Sequence, residues 1–155
     1  DGAGATLAAL RSEIRAPGYD IVHLATHGRL DGAHPEQSHI LLSGQPLYYK
    51  DIPGLRFART RLVVLSACDT ASRGSGVEVT GLAYQFERTN VRAVIATLWP
   101  VNDTATAILM ADFYKRLREG RSDVVALAEA QRALAARPEY QHPYYWAPFV
   151  LMGKA

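Results

Sequence analysis

The fold class is decided by the stretch Leu62-Val63-Val64-Leu65-Ser66-Ala67-Cys68, an apolar run that ends where a polar, glycine-rich segment begins. A second apolar run, residues 21–26, ends in the same way at His27-Gly28, and a third, residues 93–98, ends at Trp99-Pro100. Short runs that stay apolar without alternating are typical of strands buried on both faces, as in a parallel sheet. The sequence therefore predicts strands over residues 20–26, 61–67 and 93–98.

Helical patterns separate these strands along the chain. Apolar residues share one face of predicted helices over residues 6–15, from about Glu78 onward, from residue 103 and from residue 122. Residues 39–42 and 47–49 form a predicted hairpin around the turn at 43–46, and residues 149–152 form a predicted edge strand. This alternation predicts an α/β fold with a mainly parallel sheet, flanking helices on both faces and an inserted hairpin.

Composition limits the class of protein. The chain has 155 residues, one cysteine and a formal net charge of +2. The length predicts a single domain over residues 1–155, and the small charge argues against direct nucleic-acid binding. One cysteine cannot form an internal disulfide, so we expect a reducing, cytoplasmic compartment, and no run approaches the ~20 apolar residues of a membrane span. Because the chain starts at Asp1 without a methionine, we expect it to derive from a longer protein.

The most informative chemistry is a thiol and an imidazole at equivalent strand ends. If the two strands are parallel, Cys68 and His27 emerge side by side at the carboxyl edge, where open α/β sheets place their active sites. An imidazole generates or stabilises the thiolate, which is the reactive form of cysteine. Gly28 has no Cβ, so a substrate can approach its backbone N–H, which can help hold an oxyanion. The pair predicts a cysteine hydrolase.

Two carboxylates are candidates for substrate binding. Asp103 follows the third apolar strand, so it should project from the same edge and could pair with a basic substrate side chain. Glu78 is similarly placed after the glycine- and serine-rich segment. Both residues also suit helix capping or a first helical turn, which is the competing explanation for their positions.

Other kinds of site fit the sequence poorly. His23 and His27 have the spacing of a helical zinc motif, but no glutamate follows His23, and on a strand their Cα atoms would lie about 13 Å apart. We therefore predict no metal and no cofactor, and we interpret His23 as a core residue or a support for the site. There is no Gly-x-Ser-x-Gly nucleophile elbow and no complete phosphate-binding loop.

Four segments in order resemble a known family: residues 22–28 (VHLATHG), 65–70 (LSACDT), 97–103 (TLWPVND) and 142–149 (HPYYWAPF). The chain from about residue 18 to residue 153 resembles a CHAT domain, the caspase-like peptidase module often fused to tetratricopeptide repeats in bacteria. The resemblance implies a caspase-like three-layer sandwich, with His27 as base and Cys68 as nucleophile. It further implies an oxyanion hole formed by the backbone amides of Gly28 and Cys68, and a role for Asp103 in receiving a basic P1 side chain.

The resemblance also implies a function and partners. We expect a cysteine endopeptidase that cleaves a protein substrate through a thioester, with a fused or associated repeat or sensor domain. The family's opening strand and helix would precede Asp1, and Asn102 stands where an acidic residue is frequent. A non-catalytic caspase-like interaction and signalling module is the main alternative, and a cysteine hydrolase acting on a non-peptide amide is another.

Overall fold

The structure is a computed structural model that describes residues 2–66 and 77–154. Residues 67–76, and with them Cys68, lie outside the described residues, as do the side chains of residues 77 and 78. The helices of the described part are α1 (Leu7–Glu13), α2 (Val77–Glu87), α3 (Asp103–Arg118) and α4 (Asp123–Ala135). The strands are β1 (Ile21–Leu24), β2 (Gly28–Arg29), β3 (His39–Ile40), β4 (Leu47–Tyr48), β5 (Leu62–Leu65), β6 (Ala93–Thr97) and β7 (Phe149–Gly153).

The main sheet has the order β1-β5-β6-β7 among the described residues. β1, β5 and β6 are parallel, and β7 pairs antiparallel with β6 at the edge, so the predicted mainly parallel sheet and the predicted strand at 149–152 are confirmed. β1 and β5 stop before the predicted bounds. β1 ends at Leu24, and the Thr26 hydroxyl donates instead to the carbonyl of Leu41, 2.7 Å away, which draws the chain out of the sheet.

Apolar side chains cover both faces of this sheet, which explains why its strands do not alternate in sequence. Val63 and Val94 pack with residues of α1 and α2 on one face, whereas Val64 and Ile95 pack with α3 and α4 on the other. Every residue of β5 and β6 is buried. The core therefore consists of two apolar layers separated by the sheet, as the prediction of helices on both faces requires.

A second, smaller sheet contains the predicted hairpin. β3 pairs antiparallel with β4, and β2 adds to the other side of β3, with Gly28 opposite Ile40. The hairpin turn contains Gly44, whose φ of 84° lies in the region that glycine adopts without strain. β2 was not predicted. It matters for the site because it fixes the residues that directly follow His27.

Side-chain caps fix where the outer helices begin. Thr6, Asn102 and Ser122 each accept a hydrogen bond from the backbone N–H three residues later, at the starts of α1, α3 and α4. The predicted starts near residues 6, 103 and 122 are therefore confirmed. In the described ranges, no helix is both long and apolar enough to cross a membrane.

Candidate functional site

The parallel arrangement brings three chain segments to one edge of the sheet. The last paired residues of β1 and β5 are Leu24 and Leu65, which lie opposite each other, and β6 ends beside them at Thr97. The segment that carries His27 follows β1, and Asp103 begins α3 after β6. These are the ends at which the sequence predicted the chemistry.

His27 is exposed in the short connection between β1 and β2. Its backbone carbonyl accepts a hydrogen bond of 2.7 Å from the N–H of Leu41, and Gly28 directly after it enters β2. The neighbouring Thr26 hydroxyl donates to the carbonyl of the same Leu41. The backbone around the imidazole is therefore tied to the small sheet on both sides, while its side chain faces solvent.

The predicted nucleophile lies outside the described residues. Cys68 falls in residues 67–76, and the side chain of Glu78, the second residue of α2, is likewise not described. The His27–Cys68 dyad, the oxyanion hole of Gly28 and Cys68, and the binding role of Glu78 therefore stay predictions. The last described residue before Cys68 is Ser66, which is half-buried and whose N–H donates to the carbonyl of Leu24 at 3.3 Å.

Asp103 is exposed at the first position of α3. The cap of this helix is Asn102, whose side chain accepts from the N–H of Ala105 at 3.0 Å, so the capping function considered for Asp103 belongs to its neighbour. Across the described ranges, the Asp103 carboxylate forms no ion pair and no side-chain hydrogen bond. Its role in substrate binding stays a prediction.

Aromatic residues join the chain after β6 to the chain before β7. The indole N–H of Trp99 donates to the carbonyl of Tyr144 at 3.1 Å, and the N–H of Leu98 donates to the carbonyl of Pro148. Tyr144 is exposed and packs edge-on against Tyr145. Residues 142–149 carry part of the family resemblance, but their pattern predicts no role for these side chains.

His23 takes part in a hydrogen-bonded chain that the sequence did not reveal. Its Nε2 lies 2.7 Å from Oγ of Ser66, and its Nδ1 lies 3.0 Å from the phenol oxygen of Tyr114 in α3. In the described part of the chain, β1 pairs on one side only, with β5, which leaves His23 exposed along the other edge. The residue is exposed, so the interpretation of His23 as a core residue is wrong.

Burial shifts the pKa values of the two titratable side chains in this hydrogen-bonded group, His23 and Tyr114. Desolvation lowers the pKa of His23 below its usual 6.5, and it raises the pKa of Tyr114 to about 12. Although part of the His23 surface is open to solvent, both ring nitrogens are engaged, and the protein replaces much of their water. At neutral pH the pair is therefore an uncharged imidazole and an uncharged phenol.

A cleft of about 400 Å³ separates β1 from the small sheet. It is lined by Ala5, His23, Leu24, Ala25, Thr26, Leu41, Leu42 and Ser43. Alanine and leucine side chains dominate this lining, and its polar residues are His23, Thr26 and Ser43. Residues 2–66 and 77–154 contain no group of three or more His, Cys, Asp or Glu side chains placed to hold a metal ion.

Comparison with known proteins identifies related sequences. The family model of the CHAT domain matches residues 2–154. Tetratricopeptide repeat protein 28 of Homo sapiens is 32% identical over 94 residues, and its counterpart from Mus musculus is 31% identical over 104 residues. These matches cover 60% and 66% of this chain but only 4% of either relative. The chain thus corresponds to a small part of the curated relatives that it matches.

Proposed function

The chain belongs to the CHAT-domain family, which is caspase-like and related to proteases, and we propose on this basis that it is a cysteine endopeptidase with a caspase-like three-layer sandwich fold. His27 acts as the base and Cys68 as the nucleophile. One positional observation carries the proposal. Leu24 lies opposite Leu65 in the register of β1 and β5, and His27 and Cys68 each follow their member of that pair by three residues.

The proposed reaction uses these two residues in turn. His27 takes the thiol proton, and the Cys68 sulfur attacks the scissile carbonyl carbon, which forms a C–S bond and places a negative charge on oxygen. The backbone N–H groups of Gly28 and Cys68 donate to this oxyanion. Collapse of the intermediate breaks the C–N bond, and the imidazolium of His27 gives its proton to the departing amine, which leaves a thioester.

Hydrolysis of the thioester returns the enzyme to its starting state. His27 takes a proton from water, and the water oxygen attacks the same carbonyl carbon. The C–S bond then breaks, the imidazolium of His27 gives its proton to the departing Cys68 sulfur, and the carboxylic acid product leaves. The exposed position of His27 supports both half-reactions, because the imidazole must reach first the leaving amine and then a water molecule. No cofactor is needed for either step.

Asp103 and Glu78 are proposed to receive the substrate side chain before the scissile bond. The Asp103 carboxylate is exposed and has no side-chain partner in the described ranges, while its neighbour Asn102 caps the helix. A free carboxylate at this edge favours arginine or lysine at P1 through a charge-assisted hydrogen bond. A protein substrate with an accessible basic residue is therefore the proposed substrate class.

The relatives suggest the setting in which the domain acts. Both are named for tetratricopeptide repeats, so we propose that repeats fused to or associated with this domain control it or deliver its substrate. The present chain would then be the catalytic part of a longer protein.

The experiment that tests the activity uses the protein and a library of fluorogenic peptides. Cys68→Ala and His27→Ala should each abolish cleavage, because the two residues act as a unit. His34→Ala is the matched control, since His34 is exposed in a loop and pairs with Asp31. Full cleavage by Cys68→Ala would refute the proposed dyad, whereas a wild type that cleaves no peptide of the library would favour the non-catalytic interaction module.

A further inference from the structure

His23, Ser66 and Tyr114 form a hydrogen-bonded chain across three elements of the fold. The imidazole on β1 contacts the hydroxyl just after β5 at 2.7 Å and the phenol of α3 at 3.0 Å. The His23 and Tyr114 rings lie 5.8 Å apart, centre to centre, at an angle of 42°. We propose that His23 is a positioning residue that holds Ser66 and thereby fixes how the chain leaves β5 toward Cys68, an inference that rests on the proposed function.

Two independent bonds fix Ser66 at the end of the sheet. Its N–H donates to the carbonyl of Leu24, which continues the backbone pairing one residue beyond β5, and its hydroxyl contacts His23. Cys68 follows only two residues later. Because each residue adds two soft dihedral angles, fixing both the backbone and the side chain of Ser66 narrows the directions open to the next residues.

The third member anchors the imidazole. Tyr114 belongs to α3, and the residue before it, Phe113, is fully buried in the apolar layer against the sheet, so the backbone that carries the phenol is packed onto the core. Tyr114 packs edge-on against that ring, with centres 5.2 Å apart. Without Tyr114, His23 on the open edge of β1 would lose the contact that fixes its ring orientation.

Both hydrogen bonds can form with a neutral imidazole, which has one donor and one acceptor nitrogen. If the phenol donates to Nδ1, then Nε2–H donates to Ser66, and in the other tautomer the serine hydroxyl donates to Nε2 and Nδ1–H donates to the phenol. Either arrangement satisfies both ring nitrogens and places no charge beside the site.

A positioning role of His23 and a purely structural role predict different effects on kcat and KM. Removing one hydroxyl should leave the substrate cleft intact and so leave KM unchanged, whereas a misplaced nucleophile lowers kcat. We expect Tyr114→Phe and Ser66→Ala each to lower kcat by about tenfold or more, with KM within about twofold of wild type. Ser66→Thr keeps the hydroxyl and should restore kcat.

A double variant tests whether Ser66 and Tyr114 act through the same residue. Since Ser66 and Tyr114 act through the same imidazole, Ser66→Ala combined with Tyr114→Phe should cost no more than the more severe single variant. Tyr84→Phe is the control, because this exposed phenol lies on α2 in a cleft with Arg92 and Lys154, at the opposite end of β6. Thermal unfolding of each variant shows whether a loss of kcat reflects a loss of folded protein.

A second readout separates this inference from the proposed function. Cys68 is the only cysteine, so its alkylation rate can be followed without a substrate. If Cys68→Ala abolishes cleavage but Tyr114→Phe and Ser66→Ala keep the wild-type kcat, the positioning role is wrong and the peptidase stands. If Cys68→Ala still cleaves, the peptidase is wrong and alkylation decides the positioning role. A rate slowed by Ser66→Ala and restored by Ser66→Thr supports that role, and an unchanged rate overturns it.

Discussion

Gly153, the last residue of β7, packs against the backbone of Ala93 so closely that no side chain fits between them. A Cβ placed on Gly153 would lie 2.9 Å from the Cα of Ala93 and closer still to the carbonyl oxygen of Arg92, and the φ of Gly153 is 114°. The N–H of the next residue, Lys154, donates to that same carbonyl at 2.8 Å. The end of the antiparallel pair therefore depends on glycine twice, for space and for conformation.

Gly153→Ala should destabilise the protein by at least about 1–3 kcal/mol, because the obstructing atoms are backbone and cannot rotate away. Chemical denaturation measures the change. Gly54→Ala is the matched control, since a Cβ there meets nothing within 4 Å and the residue has no positive φ. Equal stability of the two variants would show that β7 can shift to accept a side chain.

Substitutions of Asn102 and Asp103 should have different effects, the first on stability and the second on substrate specificity. Asn102→Ala removes the acceptor for the Ala105 N–H, so we expect a loss of about 0.5–2 kcal/mol in the free energy of unfolding and an unchanged P1 preference. Asp103→Asn should have the opposite pattern, with little change in melting temperature and a loss of about tenfold or more in kcat/KM after arginine or lysine. A peptide-library profile and a thermal scan of both variants test this. If Asp103→Asn changes only the melting temperature, the basic-P1 prediction is wrong.

His23 should make the stability of the protein depend on pH in a defined window. Desolvation lowers its pKa in the folded state, so the unfolded chain binds the proton more tightly than the folded protein does. The His23 contribution is therefore complete above about pH 6.5, the unfolded value, and is lost as the pH falls from there toward the folded pKa.

Denaturation curves of wild type and His23→Asn from about pH 8 to pH 5 measure this effect. The wild type should be the more stable at neutral pH, and the difference should shrink on acidification. Asp31 should not contribute to the pH dependence in this range. The hydrogen bond that its carboxylate accepts from the His34 N–H lowers the pKa of Asp31, so the contribution of Asp31 to stability is lost only below about pH 3.8. A constant difference between the two proteins at every pH would contradict the prediction.

Thr97 should be replaceable by valine without loss. Its side chain is fully buried at the end of β6, and its hydroxyl has no hydrogen-bond partner among the described residues. Thr97→Val keeps the shape and removes the unpaired group, so we expect unchanged stability or a gain of up to about 1 kcal/mol. The reciprocal change, Val63→Thr, buries a hydroxyl in the centre of β5 and should cost about 1–3 kcal/mol. A clear loss in Thr97→Val would mean that its hydroxyl has a partner in the folded protein.

The sequence predicted those parts of the fold that depend on burial. β5 and β6 are buried along their whole length, and only strands covered on both faces carry such continuous apolar runs. β2 escaped prediction because a strand of two residues, Gly28–Arg29, is too short for any periodicity. Capping was considered for Asp103, but the cap is its neighbour Asn102, and residue type does not distinguish them because asparagine and aspartate both cap helices well.

The site was predicted in outline only. The parallel direction of β1, β5 and β6 follows from the alternation of strands and helices, so the segments that carry His27 and Asp103 leave the sheet from the same ends of their strands. The roles of the two residues stay predictions. The contacts of His23 could not be predicted, since Ser66 is 43 positions away, Tyr114 is 91 positions away, and isolated hydroxyls form no pattern. The dyad itself stays a prediction, because Cys68 lies outside the described residues.

The order β1-β5-β6-β7 also bears on how the protein is made. Val22 pairs with Val63, and Ala96 pairs with Val150. These pairings of the main sheet therefore join segments that are far apart in the chain. Such non-local pairing is the slow part of folding. On the ribosome, the buried strand β6 gains its second neighbour only once Gly153 has been synthesised, and until then one of its edges is exposed. During translation, the open edge of β6 can therefore pair with strands of other chains until β7 is available.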